Sequence, residues 1–235
     1  MQQNWKITAA LLVCLFVFKM GYGQSNIEFK FYFNNQVWQE DSIYYNSAKE
    51  ALQIHRFMFY TSQWKAINTL HDTIELSKEH YLMNIQDVQT LKLPFQIPAN
   101  LKKIIFNIGV DSIKNTTGIQ TGVLDPAKGM FWTWRSGYIM AKLQGTSPQA
   151  NTAGNRFSYE VGGFQLPYNT VRTIVLALSP MKAPNQSLTI QAHLEKWFSG
   201  KELIKISENP NCHNAGKLAM QLADNYATMF TISSN

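Results

Sequence analysis

Cysteine is nearly absent from this 235-residue chain, which has only Cys14 and Cys212. Long apolar runs are missing too. The run from Ile7 to Phe18 is 12 residues, short of the about 20 that span a bilayer, and no later run is long enough. It follows Lys6 and precedes Gly21-Tyr22-Gly23, the layout of a secretory signal peptide. Residues 1–23 are therefore expected to be a leader, with residues 24–235 exported to the periplasm or the extracellular space as a single domain. Cys14 lies in the middle of the apolar run, whereas a lipidated cysteine should end it. Cys212 alone then remains, which excludes an intramolecular disulfide; roughly 200 residues bury enough core without one.

Charge is sparse, at 15% of residues with a net +6. Two of the cations, Lys6 and Lys19, belong to the leader. The others are scattered apart from Lys102-Lys103 and the loose set Lys196, Lys201 and Lys205. That excludes the clustered basic face of a nucleic-acid binder. Catalytic signatures are missing as well: the mature chain has no G-x-S-x-G elbow, H-E-x-x-H helix, P-loop or C-x-x-C pair. The chain reads as a non-enzyme. Repeats and low-complexity linkers are absent.

Period-two patterning is abundant. In "EFKFYFNN" Phe29, Phe31 and Phe33 oppose Lys30, Tyr32 and Asn34, as a half-buried strand requires. "HRFMFYTSQW" sets His55, Phe57 and Phe59 against Arg56, Met58 and Tyr60. "KKIIFNIGVDS", "RFSYEVGGF", "VRTIVLALS" and "LTIQAHLEKWF" read as further strands bounded by Gly, Pro, Asn or Ser. "NAGKLAMQLADNYATMF" breaks the pattern, with Ala215, Leu218, Leu222, Tyr226 and Met229 at helical spacing. A second helical turn is expected at Ser47–Gln53. Short strands at regular intervals, without βαβ alternation, predict an all-β antiparallel sandwich with a short C-terminal helix.

Candidate chemistry centres on "MFWTWRSGYIM". Read as one strand, it sends Trp132, Trp134, Tyr138 and Met140 to one face. Two indoles there are either a heavy core strand or a site, and an unmodified indole N–H only donates. No histidine pair has the i, i+4 spacing of a zinc helix. His193 shares a predicted strand face with Gln191, Glu195 and Trp197, so a His/Glu metal pair is geometrically possible. Imidazole and thioether are the ligands copper prefers outside the cytoplasm. The irregular stretch Asp111–Lys128 supplies Asp111, Asn115 and Asp125, oxygen donors suited to Ca²⁺ but equally to turns. Cys212 reads as an inert thiol, with His213 beside it as a possible co-ligand.

The runs "FNIGVDS", "TGVLDPAKGMFWTWRSGYI", "FSYEVGGF" and "LADNYATMF", in that order, resemble the MbnP-like family, exported proteins related to the MbnP of methanobactin-associated copper systems. The likeness extends to "FKFYFNNQVW" and "HRFMFYTSQW" and so covers nearly all of residues 24–235. It implies a β-rich domain, copper, and a tryptophan oxidised to kynurenine by a dihaem peroxidase of the MauG type. Opening the indole ring creates an aryl amine and a ketone, donors that tryptophan lacks. By position, Trp132 or Trp134 is the oxidised residue. Many relatives carry His where this chain has Glu160, and a carboxylate suits Cu(I) poorly. Either His55 or His193 completes the metal site with Glu160, or the fold is kept without the metal. The leading expectation is an exported copper-associated binding protein. The rival is a metal-free module that holds carbohydrate, peptide or a partner protein through exposed aromatics such as Trp38, Trp64 or Trp197.

Overall fold

The computed structural model describes residues 27–98, 100–133, 135–178 and 187–234. The expected leader and Trp134 lie outside the described residues. Along the chain come β1 (Ile27–Phe33), β2 (Gln36–Val37), β3 (Tyr44–Tyr45), β4 (Ala51–Asn68), β5 (Thr73–Ser77), β6 (Tyr81–Asn84), β7 (Lys92–Leu93) and β8 (Leu101–Ile108). Then follow α1 (Ser112–Thr116), β9 (Phe131–Thr133), β10 (Gly137–Thr146), β11 (Arg156–Gly162), β12 (Arg172–Ala177) and β13 (Leu188–His193). The chain closes with α2 (Lys196–Ser199), β14 (Asn211–Cys212), α3 (Lys217–Tyr226) and β15 (Phe230–Ser234).

The predicted all-β fold with a C-terminal helix is present. One sheet has the order β15-β13-β1-β2, with β7 also on β1. The other runs β12-β8-β4-β10-β11-β14, with β3, β5 and β6 on β4 and β9 on β10. Among the described residues two pairs are parallel, β1 with β13 and β11 with β14. Alternation along one strand carries no information about its partner's direction, so the parallel pairs were not foreseen.

The sheets meet through aromatic rings. Phe29, Phe31 and Phe33 of β1 are buried as alternation requires. Phe29 lies edge-on to Phe59 at 5.7 Å and to Trp64 at 6.1 Å, while Trp64 stacks on Phe106 at 4.3 Å. Each such ring contributes about 1.5–3 kcal/mol through burial, and edge-on and offset contacts suit the ring quadrupole. On α3 the buried face is Ala219, Leu222, Ala223 and Tyr226.

From Phe57 to Ser62, β4 is buried on both faces. The cause is the excursion from Val110 to Met130, which folds over the outside of the larger sheet. Met58, Tyr60, Leu82, Leu124, Met130, Tyr138 and Met140 make a second core beneath it. The Tyr60 hydroxyl donates to Val123 O at 3.0 Å and the Tyr138 hydroxyl to Leu124 O at 2.7 Å. The excursion is structured by its polar residues. Asp111 caps α1 by accepting from Lys114 N at 3.0 Å, and Asp125 accepts from Ala127 N at 2.8 Å. The oxygens considered for Ca²⁺ thus serve as caps and turns.

Four expectations are corrected. Ser47–Gln53 is a turn running into β4. "LTIQAHLEKWF" is β13 followed by α2, so Trp197 leaves the strand face of His193 and enters the core. The "MFWTWRSGYIM" stretch is the hairpin of β9 and β10, in which the chain reverses. Last, Gln144 pairs with Arg56 and Gly145 with Ile54, which leaves His55 as an extra residue in β4. This β-bulge turns His55 outward beside Arg56, where strict alternation would have opposed them.

Candidate binding site at Trp132 and Glu160

The hairpin that carries Trp132 is locked from α1. Asn115, buried on that helix, donates to Val110 O and Asp111 O at 3.0 and 2.9 Å and accepts from Tyr138 N at 2.8 Å. Gly137 sits at φ +76, and a side chain there would collide with Asn115 Oδ1 and the Phe164 ring. Only glycine suits that combination of dihedral and contact.

Trp132 then lies across the end of β11. A Cβ on Gly162 would fall 2.7 Å from Cζ3 and 2.8 Å from Cη2 of the indole. The glycine of "YEVGG" is therefore the seat of the ring. From that seat the indole Nε1–H donates to Glu160 Oε2 at 2.9 Å.

Glu160 itself is placed by sheet register. Lys142 of β10 is its direct cross-strand neighbour. On the other side, β14 pairs in parallel with β11, Ser158 with Asn211 and Tyr159 with Cys212. The next residue, His213, falls beside Glu160. Lys142 Nζ stands 3.0 Å from Glu160 Oε1 and donates to Gly129 O at 2.6 Å, while His213 Nδ1 lies 3.5 Å from Oε2. The Lys142 and Glu160 side chains are 8% and 17% exposed, and that of His213 is 49% exposed. Burial would raise the Glu160 pKa, but the bonds from Trp132, Lys142 and His213 outweigh it and hold the carboxyl below its ordinary range. Both oxygens of an ionised, half-buried carboxylate are thus engaged.

A cleft of about 630 Å³ opens beside this cluster. Trp132, Arg135, Phe164, Leu166, Tyr168 and His213 are among the residues lining it. Leu166 is 89% and Tyr168 45% exposed. The walls combine apolar faces with the polar groups of Gln165 and Asn214.

The sequence candidates divide accordingly. Trp132 and Glu160 come together. His55 faces outward in the β-bulge and shares a hydrogen bond with Thr146 Oγ1 at 3.0 Å. His193 is in the opposite sheet, stacked on Tyr32 and 3.8 Å from Glu195. Cys212 points into the core, away from His213, and burial pushes its thiol up to about 11. Trp64 and Trp197 are fully buried and Trp38 packs against the core, so the aromatics suggested for a docking surface are not exposed. Lys142 was missed. Its signal was a lone cation in "YIMAKLQG", facing a lone carboxylate in the next strand, "FSYEVGGF". Among the described residues, no group of three or more His, Cys, Asp or Glu is arranged to hold a metal ion.

None of the curated proteins compared matches the chain. Among solved structures, MbnP from Methylosinus trichosporium is similar, with a TM-score of 0.61 at 12% identity. The match covers 89% of this chain and 98% of that one. At such identity the likeness concerns the fold. The sequence model of the MbnP family matches residues 22–214, a span that runs from β1 to the His213 beside Glu160, and the chain belongs to the MbnP family.

Proposed function

We propose that the chain is an exported, non-catalytic binding protein that takes a small polar ligand in the Trp132 cleft, with no resident metal ion in its encoded form. The observation that carries this reading is Lys142. A buried ammonium 3.0 Å from Glu160 Oε1 already supplies the positive charge that the carboxylate needs.

The family resemblance implies copper, and the encoded residues do not fit it. A second cation at Glu160 would meet repulsion from Lys142 at close range. The carboxylate is a hard donor with both oxygens in use, and the indole N–H of Trp132 donates only. The thioether of Met140 is buried and accepts from Val110 N at 3.2 Å. His213 is the one imidazole at the cluster. The cleft, by contrast, joins aromatic faces to amide and hydroxyl groups, a pairing that suits a sugar unit, whose C–H face stacks while its hydroxyls bond.

A second reading has its own support: Trp132 Nε1 and His213 Nδ1 converge on one carboxylate oxygen. Oxidation of Trp132 to kynurenine by a MauG-type partner would replace an N–H donor with groups able to ligate a metal. Two measurements separate the readings. Anaerobic Cu(I) titration of the mature protein is expected to reveal no site tighter than micromolar. Intact mass from the native host is expected to equal that encoded by residues 24–235. A sub-micromolar Cu(I) site in the unmodified protein would overturn the first reading, and a mass gain at Trp132 would favour the second. Quenching of indole fluorescence by neutral oligosaccharides, lost in Tyr168→Ala, tests the cleft itself.

A further inference from the structure

The outer face of the larger sheet carries a second cleft, of about 410 Å³, at the end of β10 away from Trp132. His55, Arg56, Gln86, Gln144, Arg156 and Ser158 are among the residues lining it, and no Asp or Glu is. The register shows how the two arginines come together. Arg56 pairs across to Gln144, Gln144 to Ser158, and Arg156 sits two residues from Ser158 opposite Thr146. Two strand spacings and one two-residue step put the arginine Cα atoms about 12 Å apart, and both side chains border the same cleft.

Three features set this cleft apart from an ordinary charged surface. The β-bulge at His55 interrupts the alternation of β4, so that two consecutive side chains, His55 and Arg56, project into one cleft. Bulges that re-aim side chains are a recurring device beside binding sites. Second, neither Arg56 nor Arg156 has a side-chain hydrogen bond or ion pair with another described residue. Arg172 shows the other pattern, with its guanidinium bonded to Asp224 Oδ1, Asn169 O and Val171 O at 2.7–2.9 Å. Third, the neutral groups between the arginines include donors. Gln144 Nε2 donates to Ser158 Oγ at 2.9 Å, which leaves the serine hydroxyl proton directed elsewhere.

We propose that this cleft binds a tetrahedral oxyanion, a phosphate or sulfate group borne by a small ligand. Arginine presents a planar fork of N–H donors that matches such an anion in two bonds. With two free forks, flanking amide and hydroxyl groups and no competing carboxylate in the lining, the charge and the donors are complementary to that group. The volume leaves room for more than the bare anion, so a phosphate or sulfate ester fits better than the inorganic ion alone.

Amide chemical-shift titration of the mature protein tests this with inorganic phosphate, inorganic sulfate and glucose 6-phosphate, with glucose as the neutral control. Saturable shifts of His55, Arg156 and Ser158 below about 10 mM ligand are expected, and glucose is expected to cause none. Tighter binding of the ester than of both ions identifies an ester as the source; equal or weaker binding identifies the free anion. Arg56→Gln and Arg156→Gln are each expected to weaken association about tenfold, and the double variant to abolish it. Both side chains are exposed, so an unchanged melting temperature is the control for folding. Absence of saturable shifts, or shifts that persist in the double variant, would overturn the proposal. Loss of the Trp132 cleft reading leaves it untouched, because the two clefts share no lining residue.

Discussion

Replacing Lys142 with Met removes the cation from a carboxylate that burial alone would drive toward protonation. Both side chains are largely inaccessible, at 8% and 17%, so bulk water cannot take over the role of the ammonium. Breaking a buried pair from one side costs about 3–5 kcal/mol. The lower end applies because Trp132 and His213 still contact Oε2. Glu160→Gln is milder, about 2 kcal/mol, since Lys142 keeps its bond to Gly129 O. The double variant has neither charge to bury and should lose only about 1–2 kcal/mol. The resulting coupling of about 3–4 kcal/mol is measurable from urea midpoints at constant m-value. The pH dependence gives a second check. A depressed carboxyl contributes stability that is complete above its unfolded value, about 4.3, and is lost as pH falls through the folded value. In Lys142→Met the carboxyl loses the charge and the bond of the ammonium, so its pKa rises from the wild-type level; the deficit is greatest at neutral pH and shrinks on acidification. A coupling below about 0.5 kcal/mol, as exposed pairs give, would refute the reasoning, as would a deficit that does not change with pH.

Gly162→Ala should unseat the indole, because the new Cβ would lie 2.7 Å from Trp132 Cζ3 and 2.8 Å from Tyr138 O; a loss of about 1–3 kcal/mol and a displaced indole N–H resonance are expected. Glu50 is a buried carboxylate that makes no ion pair with another described residue, accepting from Asn46 Nδ2, Ile206 N, Ser207 N and Ser207 Oγ at 2.6–2.9 Å. Burial would raise its pKa, but the bonds from Ser207, Asn46 and Ile206 prevail and lower it. Glu50→Gln should therefore cost about 2 kcal/mol at neutral pH, with the difference from wild type vanishing as pH falls through the folded pKa. Cys212, 4% exposed with its thiol pushed up to about 11, should resist iodoacetamide until the protein unfolds. Prompt labelling of the native protein would contradict its placement in the core.

The strands were legible because alternation reports burial directly wherever one face is dry and the other wet. β1 shows this plainly, with Ile27, Phe29, Phe31 and Phe33 inside. The signal failed where that condition failed. Both faces of β4 are covered from Phe57 to Ser62, and one inserted residue at His55 shifted the phase of what preceded it. At the site, Trp132 and Glu160 were visible and the groups that surround the carboxylate were not. Trp132 stood out by composition, yet Lys142 and His213 reach Glu160 only through pairings between distant segments. A one-dimensional pattern records which face a side chain takes, but not which strand lies beside it.

The same pleat explains how one sheet face holds two chemically unlike clefts. Lys142, Gln144 and Thr146 alternate along β10 opposite Glu160, Ser158 and Arg156 on β11. At the Trp132 end the buried cation, Lys142, is bound to Glu160 and Gly129 O. At the β-bulge end the Arg56 and Arg156 side chains have no hydrogen-bond or ion-pair partner among the described residues. Along β10 Lys142 stands two residues from the level of Arg56 and four from that of Arg156, about 7 and 13 Å, against a Debye length of about 8 Å at physiological ionic strength. The two ends differ in their response to salt through exposure rather than through distance. Anion binding at Arg56 and Arg156 should weaken steeply as salt rises, because both charges are in water, whereas the Lys142–Glu160 coupling should hold because water is excluded from it. Equal salt sensitivity at the two ends would mean that Lys142 and Glu160 are solvated, and the reason for excluding a metal there would fall with it.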